Sequence, residues 1–179
     1  MLVMAIAQGC GQDDTLVECR AGALALAAFH FHIVNRSSFP INFNFGCGGH
    51  PPIDLDTAEG PLGIGSESAD VCGNDCQEVL DGIEPTSCTD CGPSLTQLVE
   101  PGATMDIEWD RRVWMRHVVS PSCSGLPKQH ACALGLAIGE PSIRGRLTHC
   151  EVGSSFCTEP KTIPFVADLS RDEVFIEVR

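Results

Sequence analysis

Four cysteines come closest to a recognisable chemical pattern. Cys72 and Cys76 form a C-x3-C pair, Cys88 and Cys91 form a C-x2-C pair, and eleven residues separate the two. Four thiolates at about 2.3 Å satisfy a tetrahedral Zn²⁺. The same four can instead close disulfides and tie down a segment poor in apolar residues, each crosslink contributing about 2–4 kcal/mol. The remaining cysteines favour the second chemistry. Cys10, Cys19, Cys47, Cys123, Cys132, Cys150 and Cys157 are scattered singly through strand-like sequence, as bridges between strands would be. Eleven cysteines in 179 residues is a density that fits an oxidising compartment better than a reducing one.

Other constellations are weaker. His30-x-His32 places two imidazoles on one strand face, a usable metal pair, and only His50 is close enough in sequence to extend it. His117, Cys123, His130 and Cys132 lack the spacing of a blue-copper site. Asp54-x-Asp56-x-x-Glu59 begins like a calcium loop. An EF-hand then needs an oxygen ligand, a Gly and a Glu where this chain has Ala58, Glu59 and Gly65. An irregular Ca²⁺ site therefore stays open, and the metal ligands stay unknown. Gly65-Ser66 and Gly153-Ser154-Ser155 lack the frame of a nucleophile elbow. There is no phosphate loop and no dinucleotide fingerprint. No catalytic residue and no cofactor emerges, so the expectation is a protein that is not an enzyme.

Charge is concentrated. The formal net charge is −13, and no Lys or Arg occurs between Ser37 and Asp110. Fourteen of the 24 acidic residues fall in that window, and the rest of the chain is nearly balanced. A field of this sign repels phosphate backbones, so nucleic acid is not expected as a partner. It suits a solvated face, a cation site or a docking surface for a basic partner.

The first residues, MLVMAIAQGC, carry a short apolar run that ends in small residues before Cys10. A secretory signal has a basic start, an apolar core and a small-residue exit. Here the basic start is missing and the run is too short to span a membrane. Ala7-Gln8-Gly9-Cys10 resembles a bacterial lipobox, which implies that Cys10 is the lipid anchor and that membrane contact runs only through it. Residues 1–19 then serve as a truncated signal, lipobox and tether. With Cys10 set aside, ten cysteines remain, enough for five bridges of unreadable connectivity.

The elements that must hold these residues are strands. Leu24–Val34 reads as the first, with Phe29, Phe31 and Ile33 on one face and His30, His32 and Val34 on the other. Strands follow at Ile41–Phe45, at Ser94–Glu100 with Leu95 and Val99 in phase, and at Thr104–Asp110, where Met105, Ile107 and Trp109 alternate with polar residues. Val113–Val119, Cys132–Ile138, Ile143–Cys150 and Glu173–Arg179 complete eight, the last preceded by a polar loop with Pro160 and Pro164. Residues 47–94 show little periodicity and read as a Cys-rich insertion with Val79, Leu80 and Ile83 as its few apolar anchors. The predicted fold is all-β: an antiparallel, immunoglobulin-like β-sandwich over 20–179 with a long, disulfide-stapled acidic loop.

Leu98-Val99-Glu100-Pro101-Gly102, leading to Glu108-Trp109-Asp110-Arg111, resembles the Pro-Gly to Trp-Asp-Gly step of small bacterial immunoglobulin-like sandwiches, including the intracellular proteinase inhibitor family. In that family the Pro-Gly turn separates two strands and the Trp packs inside. Arg111 stands where Gly is usual. The Cys-rich pattern is similar to that of lipoproteins common in myxobacteria. The resemblance implies the fold and carries over no inhibitor loop. The expected function is an exported, extracytoplasmic, lipid-anchored surface binding or adhesion module whose partner is an unknown protein or surface ligand. The alternative is a metal-binding protein that uses the Cys-rich acidic loop for zinc or calcium.

Overall fold

The computed structural model describes residues 27–45, 51–65, 75–85, 95–151 and 159–179. Within them, period-two alternation decides most of the structure. In β1 (Phe29–Asn35), Phe29, Phe31 and Ile33 are fully buried while His30 and His32 are half-buried on the other side. In β6 (Thr104–Trp109), Met105, Ile107 and Trp109 are buried and the residues between them are exposed. The two strands pair antiparallel, with Phe31 opposite Ile107. β11 (Glu173–Val178) lies along the other edge of β1, so one sheet has the order β11-β1-β6.

The second sheet is built on β9 (Ser142–Glu151). β10 (Lys161–Asp168), β3 (Ile53–Thr57) and β2 (Ile41–Phe45) all pair with it, β4 (Gly60–Gly63) extends β3, and β5 (Leu95–Val99) extends β2. Its inward residues include Phe43, Leu55, Val99, Ile143 and Leu147. Both sheets contribute to one apolar core. Phe31 of the first meets Phe165 of the second edge-on at 5.7 Å. Trp109, only 2% exposed, packs edge-on against Phe29 at 6.0 Å. Two sheets that bury their inner faces against each other make a sandwich. The all-β expectation and the inward phase of Trp109 are both met.

A third layer flanks the sandwich. β7 (Arg112–Val119) and β8 (His130–Ala137) form a two-stranded sheet. Two short helices, α1 (Cys76–Leu80) and α2 (Pro121–Ser124), pack near it. The Asp75 carboxylate caps α1 by accepting from Gln77 N at 2.8 Å. Val79 and Leu80 of α1 bury against Val119 and Leu134.

Several expectations need correction. Eleven strands form among the described residues, against the eight expected. Part of the segment at 47–94 is not a loop: residues 53–63 form the β3–β4 hairpin of the main sheet, with Ile53 and Leu55 in the core. The polar stretch with Pro164 is β10. Its only strand partner among the described residues is β9, and an edge position lets Pro join without breaking a ladder on both sides. β1 and β11 pair parallel, whereas every other described strand pair is antiparallel. Parallel pairing needs a long crossover, which the chain between them supplies. Val34 shares the face of His30 and His32 but is covered there. Leu95 is 66% exposed, so Val99 alone carries the inward face of β5, and Ile83 is 56% exposed rather than an anchor. Arg111 takes φ 61°, the left-handed conformation that favours glycine.

Candidate binding cleft and histidine face

The cysteines come first, because the disulfide fixes what they can do. Cys76 pairs with Cys132, with Cα atoms 4.9 Å apart and a sequence separation of 56. This corrects the four-cysteine set read at 72–91. Cys76 is removed from any zinc tetrad, and its bridge ties the acidic segment to β8 instead of closing it on itself. The same bond removes Cys132 as a thiolate ligand beside His117, which lies opposite it in the β7–β8 pair. Cys150 is also disulfide-bonded. Cys123 sits in α2, where the Ser120 hydroxyl donates to its sulfur at 3.4 Å. Cys10, Cys19, Cys47, Cys72, Cys88, Cys91, Cys157 and His50 lie outside the described residues.

Asp54 and Asp56 stand on the exposed face of β3, and Glu59 lies in the turn that follows. Asp56 is not available as a ligand in isolation: Arg146 of β9 donates to it at 3.0 Å. Strand alternation explains the D-x-D spacing, since Ile53 and Leu55 between them enter the core. Among the described residues, no group of three or more His, Cys, Asp or Glu side chains is arranged to hold a metal ion.

A cleft of about 440 Å³ opens between the β3–β4 turn, the end of β8 and the start of β9. Its size falls within the range of small-ligand sites. Val113, Leu136, Ile138 and Ile143 give it an apolar floor. Asp56, Glu59 and Glu140 rim it, and its lining includes no Lys or Arg. Glu59 and Glu140 form no salt bridge with any described residue. Sequence reading missed this cleft because its walls come from four separated stretches. Of its carboxylate rim, the sequence pattern points only to Asp56 and Glu59, and to them as calcium ligands.

The second constellation lies on the outer face of the β11-β1-β6 sheet. The two histidines read from sequence do share a face, with ring centroids 6.3 Å apart and nearly parallel planes. They are on the central strand, not at an edge. His32 Nδ1 lies 2.6 Å from Asp106 Oδ1 on β6, and His32 Nε2 lies 3.0 Å from Glu173 Oε2 on β11. Its ring stacks on Phe175 at 4.7 Å. The Asp106 hydrogen bond, opposed by partial burial and reinforced by Glu173, raises the His32 pKa above its ordinary value. The carboxylate partners are 74 and 141 residues away, so no local pattern in the sequence could reveal them.

The fold and the bridge define a class: a disulfide-bonded all-β sandwich with a side layer. Comparison with known proteins takes this no further, since no protein-family model, curated protein or solved structure matches the chain.

Proposed function

We propose that this chain is an exported, non-catalytic binding module, lipid-anchored through Cys10, with an immunoglobulin-like sandwich as its scaffold. The observation that carries the binding reading is the cleft with an apolar floor and a carboxylate rim. An apolar floor favours a hydrocarbon body. Two carboxylates without salt-bridge partners among the described residues favour a positive charge at its mouth. The preferred ligand is therefore an apolar group that carries an ammonium or guanidinium end, as a free small molecule or as a basic side chain of a partner protein. The Cys76–Cys132 disulfide supports export, because such bonds persist in oxidising compartments. The net charge of −13 favours a basic partner and disfavours nucleic acid.

The test is an NMR titration with three probes of similar shape: cyclohexylmethylamine, cyclohexylmethanol and cyclohexanecarboxylate. The amine is expected to shift the methyl signals of Leu136 and Ile138 at lower concentration than the other two. Replacing Glu59 and Glu140 by Gln should weaken the amine by up to about fivefold per site, the scale of an exposed ion pair. Equal shifts from all three probes, or shifts remote from these methyls, would overturn the reading.

A further inference from the structure

His32 has an arrangement that one protonation state alone satisfies. A neutral imidazole has one N–H donor and one acceptor nitrogen. An ionised carboxylate only accepts. With carboxylate oxygens at 2.6 Å from Nδ1 and 3.0 Å from Nε2, both ring nitrogens must donate, which requires the imidazolium. In the neutral form, one lone pair would face a carboxylate oxygen within hydrogen-bond distance, and that contact would turn repulsive.

The placement gives this chemistry a structural consequence. His32 stands in the middle strand, and its two partners stand on the two flanking strands. Asp106 is its direct cross-strand neighbour on β6. Glu173 opposes His30, one pleat away on β11, and Phe175 opposes His32 and stacks on its ring. The other charged and titratable groups of this face are His30, Glu108 and Glu177 with its arginine partners. Glu108 opposes His30 on β6, while Glu177 of β11 is engaged by Arg179 at 2.6 Å and Arg36 at 3.7 Å. The entry to β11 has one further tie: Arg111 donates to the Leu169 carbonyl at 2.8 Å and pairs with Asp172 at 3.3 Å.

We infer that His32 is a pH-sensitive clamp that holds the terminal strand β11 and the strand β6 onto β1, closed when the imidazole is protonated and loosened when it is not. The folded pKa is raised above the unfolded value, so the clamp's contribution is complete below about 6.5, the unfolded imidazole value. It is lost as pH rises through the higher, folded value. Acidification tightens this face and alkalinisation loosens it, opposite to the usual effect of a buried neutral histidine.

The experiment is a pH titration of the ¹⁵N-labelled protein, following imidazole nitrogen shifts, with His32→Gln used to assign the signal. His32 is expected to titrate above 6.5, with both ring nitrogens protonated below its midpoint. Glu173→Gln and Asp106→Asn, both at exposed positions, should each move that midpoint down. Amide hydrogen exchange in β11, corrected for its intrinsic pH dependence, should accelerate several-fold across the His32 titration in the wild type and stay flat in His32→Gln. A His32 midpoint at or below 6.5, or the same acceleration in His32→Gln, would overturn the clamp. If His32→Gln does not fold, the two carboxylate variants decide the matter alone, through the midpoint and the exchange profile.

Discussion

Gly145 sits at the centre of β9, with Leu55 of β3 as its partner on one side and Phe165 of β10 on the other. All three point inward. A Cβ built on Gly145 would lie 2.4 Å from Phe165 Cζ and 2.8 Å from Leu55 Cδ2. The aromatic ring therefore occupies the space that a side chain would take. Neither neighbour can retreat easily. Leu55 is fully buried, and the Phe165 ring abuts Phe31 across the core. Overpacking of this kind costs about 1–3 kcal/mol. Against it stands the lower chain entropy of Ala in a strand, worth about 0.5–1 kcal/mol. Gly145→Ala should thus destabilise by about 1–2 kcal/mol. In urea, with a slope of about 2 kcal/mol/M, the midpoint should fall by about 0.5–1 M at unchanged slope. Phe165→Leu should recover part of the loss in the Ala background, giving a double-mutant coupling of at least about 0.5 kcal/mol. An unchanged or raised midpoint for Gly145→Ala would refute the reasoning, because it would mean that the ring moves aside at no cost.

Further outcomes are expected elsewhere. Asn35 is fully buried, donates to the carbonyls of Phe39 and Val99 at 2.8 and 2.9 Å, and accepts from Ser37. Asn35→Ala should cost about 1–3 kcal/mol by urea unfolding, since it leaves the buried Val99 carbonyl short of a donor. Arg111→Gly and Arg111→Ala both lose the guanidinium contacts, but Gly relieves the left-handed φ. The Gly variant should be the more stable by about 1 kcal/mol, and equal stabilities would count against strain at this turn. Replacing Cys76 and Cys132 by Ser opens a crosslink between residues 56 apart, which chain entropy values at about 4 kcal/mol. A loss below about 1 kcal/mol in thermal or urea unfolding would contradict that account.

The legibility of the fold followed the strength of local alternation. β1, β6 and β11 could be read because aromatic and branched residues recur at every second position and carry the core. β3 has the same alternation, Ile53 and Leu55 against Asp54 and Asp56, yet its acids look equally like calcium ligands. A short strand with ionised outward residues is ambiguous until a partner is known, and Arg146 is that partner. β10 was hidden by Pro164, which excludes a strand with neighbours on both sides but not one at an edge. The sites were less legible than the strands. The partners of His32 and of Cys76 lie tens of residues away, and the cleft is walled by four segments. Register brings such groups together, and register between distant strands leaves no local trace.

The parallel pairing of β1 and β11 has a mechanical consequence. Six residues, His30 to Asn35, run in register with Glu173 to Val178. Tension applied at the start of β1 and the end of β11 pulls on opposite ends of the pair. The load then falls along the strands and is shared by the whole ladder, so rupture requires several hydrogen bonds to fail together. An antiparallel pair pulled from the same two chain positions would open one bond at a time, like a zip. Force applied between the chain before β1 and the chain after β11 would thus be resisted at the seam where these two strands meet.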